Sequence, residues 1–163
     1  LWNYLKVNPK KLDLDYIIQS SKNLKLEIVN KDPYEKSIRK KLNFGHTMGH
    51  AIESYLLDSN TPTLHGFAIA KGMIIESFIA KKENLLNENY FHEISTVLSN
   101  KFKPYLNFRI DSKSIIRFML SDKKNTQNTI NFSLPVKIGE VTINHELELK
   151  KVDSYLLEFF QND

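Results

Sequence analysis

Cysteine is absent from the 163-residue sequence. That excludes a disulfide framework and a thiolate metal site, and a reducing cytoplasm is the expected compartment. Arginine is scarce: three of the 23 basic residues are Arg, and the lysines lie scattered as singles and pairs. A nucleic-acid binder clusters Arg with interleaved aromatics on one face. The net charge of +4 is therefore read as solvated lysine on a helical surface, and no nucleic-acid partner is expected. Five glycines could hardly supply a Gly-rich strand–turn–helix phosphate cradle, and the sequence contains none. Long apolar runs are missing too, so no membrane span is expected, and the N-terminus lacks an apolar signal core.

What is present suits a globular protein. Hydrophobic residues make up 41% and charged residues 26%, which supports one well-packed domain over residues 1–163. The chain starts at Leu1 rather than Met, and we expect it to be a piece of a longer polypeptide.

Residues 1–12 read as a helix end and a loop at Asn8-Pro9. Asp13 is placed as the N-cap of a helix reaching about Leu24, with Tyr16, Ile17 and Ile18 as apolar surface. Residues 24–29 continue as a short helical piece. Pro33 is expected to sit in a first turn, ahead of the longest helical pattern at about 35–57. A turn-rich linker, Asp58 to Gly66, leads to a helix over about 66–82 with Ala68, Ile69, Met73, Ile74 and Phe78 facing a core. Further helices are expected at about 88–99, 112–120 and 148–160. Between Thr129 and Leu147 the apolar residues alternate about a turn at Ile138-Gly139-Glu140, which is a β-hairpin signal. The fold class is thus mainly α, with a small β-hairpin near 129–147.

The chemistry concentrates in Arg39-Lys40-Lys41-Leu42-Asn43-Phe44-Gly45-His46-Thr47-Met48-Gly49-His50-Ala51-Ile52-Glu53. On an ideal helix Arg39, Asn43, His46 and His50 fall within an arc of roughly 60°, with Phe44, Met48, Ala51, Ile52 and Leu56 opposite. Gly45 and Gly49 share a flank where a neighbouring backbone could come close. Two histidines at i and i+4 can reach one metal ion, or one can ligate while the other serves as acid or base. Arg and Asn beside them suit an oxygen-rich anionic ligand. A catalytic zinc usually takes three protein ligands, and His65, at the start of the next long helix, is the natural further candidate. His92 and His145 have no such context and read as surface residues.

This run, followed by Leu64-His65-Gly66 and Gly72-Met73, resembles the signature of 3-dehydroquinate synthases. The similarity extends upstream to Lys25-Leu-Glu-Ile-Val29 and Asp32-Pro-Tyr-Glu35, and downstream to Asp122-Lys123-Lys124. The resemblance implies the helical C-terminal domain of that fold. It implies His46 and His65 as metal ligands, for Zn2+ or Co2+, and His50 in the substrate site. Arg39 and Asn43 would contact phosphate and hydroxyl groups of a sugar-acid phosphate. Lys25 and one of Lys123 or Lys124 match further site lysines of the family.

The activity so implied converts 3-deoxy-D-arabino-heptulosonate 7-phosphate to 3-dehydroquinate and phosphate, in the shikimate route to aromatic amino acids. NAD takes part and is bound mainly by an N-terminal domain; that domain, the family's third metal ligand (a Glu) and another site Lys have no match in this chain. The fragment alone is expected to be inactive, and a homodimer is expected. One departure stands out: Phe67 follows His65-Gly66 where the family usually has Glu. The alternatives are a related sugar-phosphate cyclase and a non-catalytic helical module.

Overall fold

No glycine or proline interrupts residues 14–31, and one uninterrupted helix forms there rather than two pieces. The computed structural model describes residues 1–7, 12–107, 110, 112–121 and 128–162. By their internal contacts these fall into two units, Leu1–Lys41 and Leu42–Asp163.

The first unit holds α1 (Trp2–Lys6) and α2 (Leu14–Lys31). Asp13 caps α2 as expected, its carboxylate accepting the Tyr16 N–H at 2.9 Å and so satisfying one of the four free donors of the helix start. Tyr4 ties the two helices together: its hydroxyl accepts the Asp13 N–H at 2.8 Å, and its ring packs edge-on against Tyr16 at 5.0 Å. Within its own unit α2 buries no residue, so Tyr16 and Ile18 stay exposed.

Residue 35 does not open a helix. Asp32 gathers the chain into a turn, accepting the N–H groups of Lys36 at 2.9 Å, Ser37 at 2.7 Å and Arg39 at 3.1 Å. Foremost the Lys36 N–H, with those of Ser37 and Arg39, holds this carboxyl down to about 2 against the opposing effect of burial. A 3-10 helix, Ile38–Asn43, follows. Gly45 then takes a left-handed φ of 85°, which a helix interior does not allow. The long helix expected at 35–57 is therefore a capped turn, a 3-10 segment and α3 (His46–Asp58).

In the second unit α3 is followed by α4 (His65–Lys82), α5 (Glu88–Phe102), α6 (Ser112–Ser121), β1 (Thr129–Lys137), β2 (Glu140–Glu148) and α7 (Leu149–Asn162), with a short 3-10 turn, Lys103–Tyr105, after α5. The fold is mainly helical with one antiparallel hairpin, as the pattern predicts. Its register pairs Ile130 with Leu147 and Phe132 with His145, and Gly139 supplies the turn at φ 81°.

Helix α4 is the centre of this unit and packs against α3, α5, β1 and α7. Its residues 70–80 are buried save Met73, the polar Lys71, Glu76 and Ser77 among them. The core around it includes Met48, Ile52, Ile75, Ile79, Ile115, Phe132, Leu134, Val152 and Leu156, each with 0–1% of its surface exposed. Among the described residues no helix is long and apolar enough to cross a membrane.

Candidate metal centre

Two helices bring the histidines together, and their close approach has a sequence cause. A Cβ on Gly72 of α4 would collide with the Gly45 carbonyl oxygen and stand 2.6 Å from the Gly49 nitrogen. A Cβ on Gly49 would stand 2.9 Å from the Cα of Ile69. Three glycines thus let the backbones of α3 and α4 touch. The flank of Gly45 and Gly49 is the contact surface that their spacing suggested.

Gly45 has no side chain to cap α3, and a buried acid of α4 does so instead. The carboxyl of Glu76, 0% exposed, accepts the Gly45 N–H at 2.6 Å and the Met48 N–H at 2.9 Å. Burial pushes this carboxyl up to about 8, with the N–H groups of Met48, Gly45 and Thr47 pulling it back. Glu76 was not among the expected site residues, although a lone acid inside Met73-Ile74-Ile75-Glu76-Ser77-Phe78-Ile79 is a visible signal.

With the helices so placed, His46 and His50 of α3 meet His65, the first residue of α4. Their ring centroids lie 5.4, 5.8 and 5.7 Å apart. One ring nitrogen from each lies within 4.8 Å of the others. His65 Nδ1 is 2.9 Å from the Glu53 carboxylate, and His46 Nδ1 is 3.4 Å from the Phe44 carbonyl oxygen. An oxygen facing Nδ1 favours the proton there and makes Nε2 the ligating nitrogen, the arrangement found around metal-bound imidazoles. This donor set fits a borderline divalent ion such as Zn2+ or Co2+. Glu53, the last residue of the motif, lies i+7 from His46 and i+3 from His50, on the same helix face.

Beside the histidines lies a cavity of about 310 Å³ lined by Thr47, His50, Glu53, Ser54 and Phe118 among others. A second, also about 310 Å³, is lined by Leu64, Phe67, Tyr105 and the 61–63 loop. Phe67 stacks flat on Tyr105, with centroids 4.2 Å apart and an interplanar angle of 1°.

The remaining candidates are placed as follows. Asn43 ends the 3-10 segment and is half-buried, so it does not share a continuous helix face with His46. Arg39 belongs to the first unit. There its guanidinium donates to the Pro33 carbonyl at 2.8 Å and stands 3.9 Å from Glu35. Lys25 is exposed on α2. Lys123 and Lys124 lie outside the described residues. His92 is exposed, as expected. His145 is not an ordinary surface residue: strand β2 carries it half-buried to within 3.4 Å of Glu83, which also meets Lys151 at 2.7 Å and Tyr155 at 2.7 Å. The i, i+2 alternation along β2 turns that side chain inward.

The sequence profile of the 3-dehydroquinate synthase C-terminal family matches residues 2–125. The chain belongs to that family. The 3-dehydroquinate synthase of Thermodesulfovibrio yellowstonii is 35% identical over 161 residues, covering 93% of this chain and 44% of that protein. The 3-dehydroquinate synthase of Picrophilus torridus is 37% identical over 147 residues, covering 88% of this chain and 42% of the relative. The chain therefore spans less than half the length of these 3-dehydroquinate synthases.

Among solved structures, a 2-deoxy-scyllo-inosose synthase complexed with carbaglucose-6-phosphate, NAD+ and Co2+ superposes with a TM-score of 0.70 at 26% identity, over 82% of this chain and 39% of the other. A 2-epi-5-epi-valiolone synthase from Streptomyces hygroscopicus with NAD+ and Zn2+ bound gives 0.68 at 22% identity, over 85% of this chain and 38% of the other, and shows the shared fold. The C-terminal fold of 3-dehydroquinate synthase is thus common to several sugar-phosphate cyclases.

Proposed function

We propose that this chain is the metal- and substrate-binding part of a 3-dehydroquinate synthase, converting 3-deoxy-D-arabino-heptulosonate 7-phosphate to 3-dehydroquinate and inorganic phosphate. The observation that carries the reading is the meeting of His46, His50 and His65 within one ion's reach, in a chain of this family. His46 and His65 are assigned as ligands, with Glu53 orienting His65. A divalent ion held there would supply Lewis acidity, making a substrate hydroxyl more acidic and a carbonyl more polar.

The side chains do the rest by binding and proton handling. His50, exposed beside the ligands, hydrogen-bonds the substrate and can exchange a proton with it. The Asn43 amide is assigned to substrate hydroxyls. The Arg39 guanidinium suits a phosphate oxygen pair, and its fixed charge stabilises phosphate as it leaves. Lys25 and one of Lys123 or Lys124 add positive charge toward the same anionic substrate. NAD is assigned to an N-terminal domain in the same polypeptide, because the chain carries no Gly-rich cradle for it. A homodimer in the cytoplasm completes the reading.

The test is phosphate release from the keto sugar-acid phosphate by the polypeptide that joins this chain to an NAD-binding domain, with and without a chelator. Release that needs both metal and NAD supports the assignment. Release from a hexose 6-phosphate instead would move the protein to another cyclase class, a reading favoured by its likeness to 2-deoxy-scyllo-inosose synthase. No release from either substrate by the folded, metal-loaded polypeptide would leave a helical module without this chemistry. His46→Ala is expected to abolish zinc retention while helicity by circular dichroism stays; full zinc occupancy in that variant refutes the ligand assignment.

A further inference from the structure

Ile69, Gly72 and Glu76 follow His65 at steps of 4, 3 and 4 residues, so all four share one stripe of α4. Every member of that stripe meets α3 or its start. His65 faces His46 and His50, and Ile69 packs on Gly49. Gly72 lies against Gly45 and Gly49, and Glu76 takes the N–H groups of Gly45 and Met48. Those two N–H groups flank His46 in the chain, one residue before it and two after. Gly45 is left-handed and offers no cap of its own, so Glu76 sets where the first turn of α3 begins.

We propose that Glu76 is a positioning residue for the metal centre, fixing the register in which α3 presents His46 and His50 to His65 of α4. The two oxygens are used as two acceptors at different heights along α3. Sliding α3 by one residue, or rotating its first turn, would break at least one of these bonds inside the core, where an unpaired N–H is costly. Loss of the pin therefore leaves the ligands present and misplaced, and groups that orient ligands from behind change metal affinity by roughly 10–100-fold. This inference rests on the metal reading given above.

The probe is Co2+ alone, titrated into the polypeptide that joins this chain to an NAD-binding domain and followed by its visible absorption. Glu76→Gln keeps the volume but replaces one acceptor by an NH2 group, which must face an N–H donor whichever way the amide turns. Its Co2+ affinity is expected to fall by roughly 10–100-fold, with an altered spectrum. Leu156→Ala, at a fully buried site of α7, is the comparison: it lowers thermal stability but leaves affinity and spectrum unchanged. Equal affinity and spectrum in Glu76→Gln and wild type overturn the inference alone; a wild-type polypeptide that takes up no Co2+ overturns the metal reading and the inference together.

Should Glu76→Gln not fold, the wild-type joined polypeptide supplies the second measurement. Coupling between sites is reciprocal, so saturating Zn2+ must slow hydrogen exchange at the Gly45 and Met48 amides more than along α5. No such slowing overturns the proposal.

Discussion

Replacing Gly72 by alanine sets two ordinary expectations against each other. Helix propensity alone favours the change, by about 1 kcal/mol inside a helix. Packing opposes it: the new methyl meets the Gly45 carbonyl oxygen and lies 2.6 Å from the Gly49 nitrogen and 3.0 Å from its Cα. These are backbone atoms and cannot swing aside, so α3 must retreat by on the order of 1 Å to restore ordinary carbon contacts. Overpacking of this kind costs about 1–3 kcal/mol. The retreat also strains the bonds from Gly45 and Met48 to Glu76, and a buried N–H left unpaired costs about 1–3 kcal/mol.

Packing wins by this arithmetic, with a net loss of about 1–5 kcal/mol. For a chain of this size that lowers the melting temperature by roughly 2–20 °C. Gly66 is the internal control: it lies on the same helix, and nothing comes within 4 Å of a Cβ there. Gly66→Ala should be neutral or stabilising by up to about 1 kcal/mol. Urea and thermal unfolding of the two variants decide the matter. A Gly72→Ala protein as stable as wild type, or more so, would show that the helices are not in backbone contact and would refute the argument.

Glu76 carries a pH dependence. Its carboxyl is raised from 4.5 to about 8, so the native state keeps a proton that the unfolded chain has released. Its contribution is fully present below the unfolded value and is lost as pH rises through about 8, with a slope no steeper than about 1.4 kcal/mol per pH unit. Urea midpoints across that range should fall less in Glu76→Gln than in wild type, and parallel profiles would sink the reasoning. Glu53→Gln removes the carboxylate facing His65 Nδ1 and should weaken zinc binding roughly 10-fold with little change in unfolding. Competition against a colorimetric chelator measures this, and unchanged affinity counts against a role for Glu53. Arg39→Ala should lower kcat/KM for the sugar-acid phosphate in the full polypeptide with metal content intact; unchanged kinetics would take Arg39 out of the site.

The amphipathic segments were legible because their local signals agree. Asp13 before Leu14, the alternation around Gly139 and the apolar spacing of α4 each point one way. Reading 35–57 as one helix failed because periodicity cannot register an acid that competes for backbone donors. Asp32 takes three N–H groups, and Gly45 then turns left-handed. The histidines stood out by type and spacing, and the Gly45–Gly49 flank pointed to a close neighbour. The partners behind them did not stand out. Glu53 acts on a residue 12 positions away and Glu76 on residues 28 and 31 positions away, a separation that no local pattern spans. His145 looked ordinary for the same reason, its partner Glu83 lying on another element.

The starts of the two ligand-bearing helices are held differently. Gly45 and Met48, on either side of His46, are buried and tied to Glu76, whereas Leu64, His65 and Gly66 are exposed and α4 begins without a side-chain cap. Thermal breathing is easiest where fewest buried contacts must be given up, so the first turn of α4 frays more often than that of α3. A captured ion would then lose His65 before His46, and its residence time would follow how often that outer turn lifts.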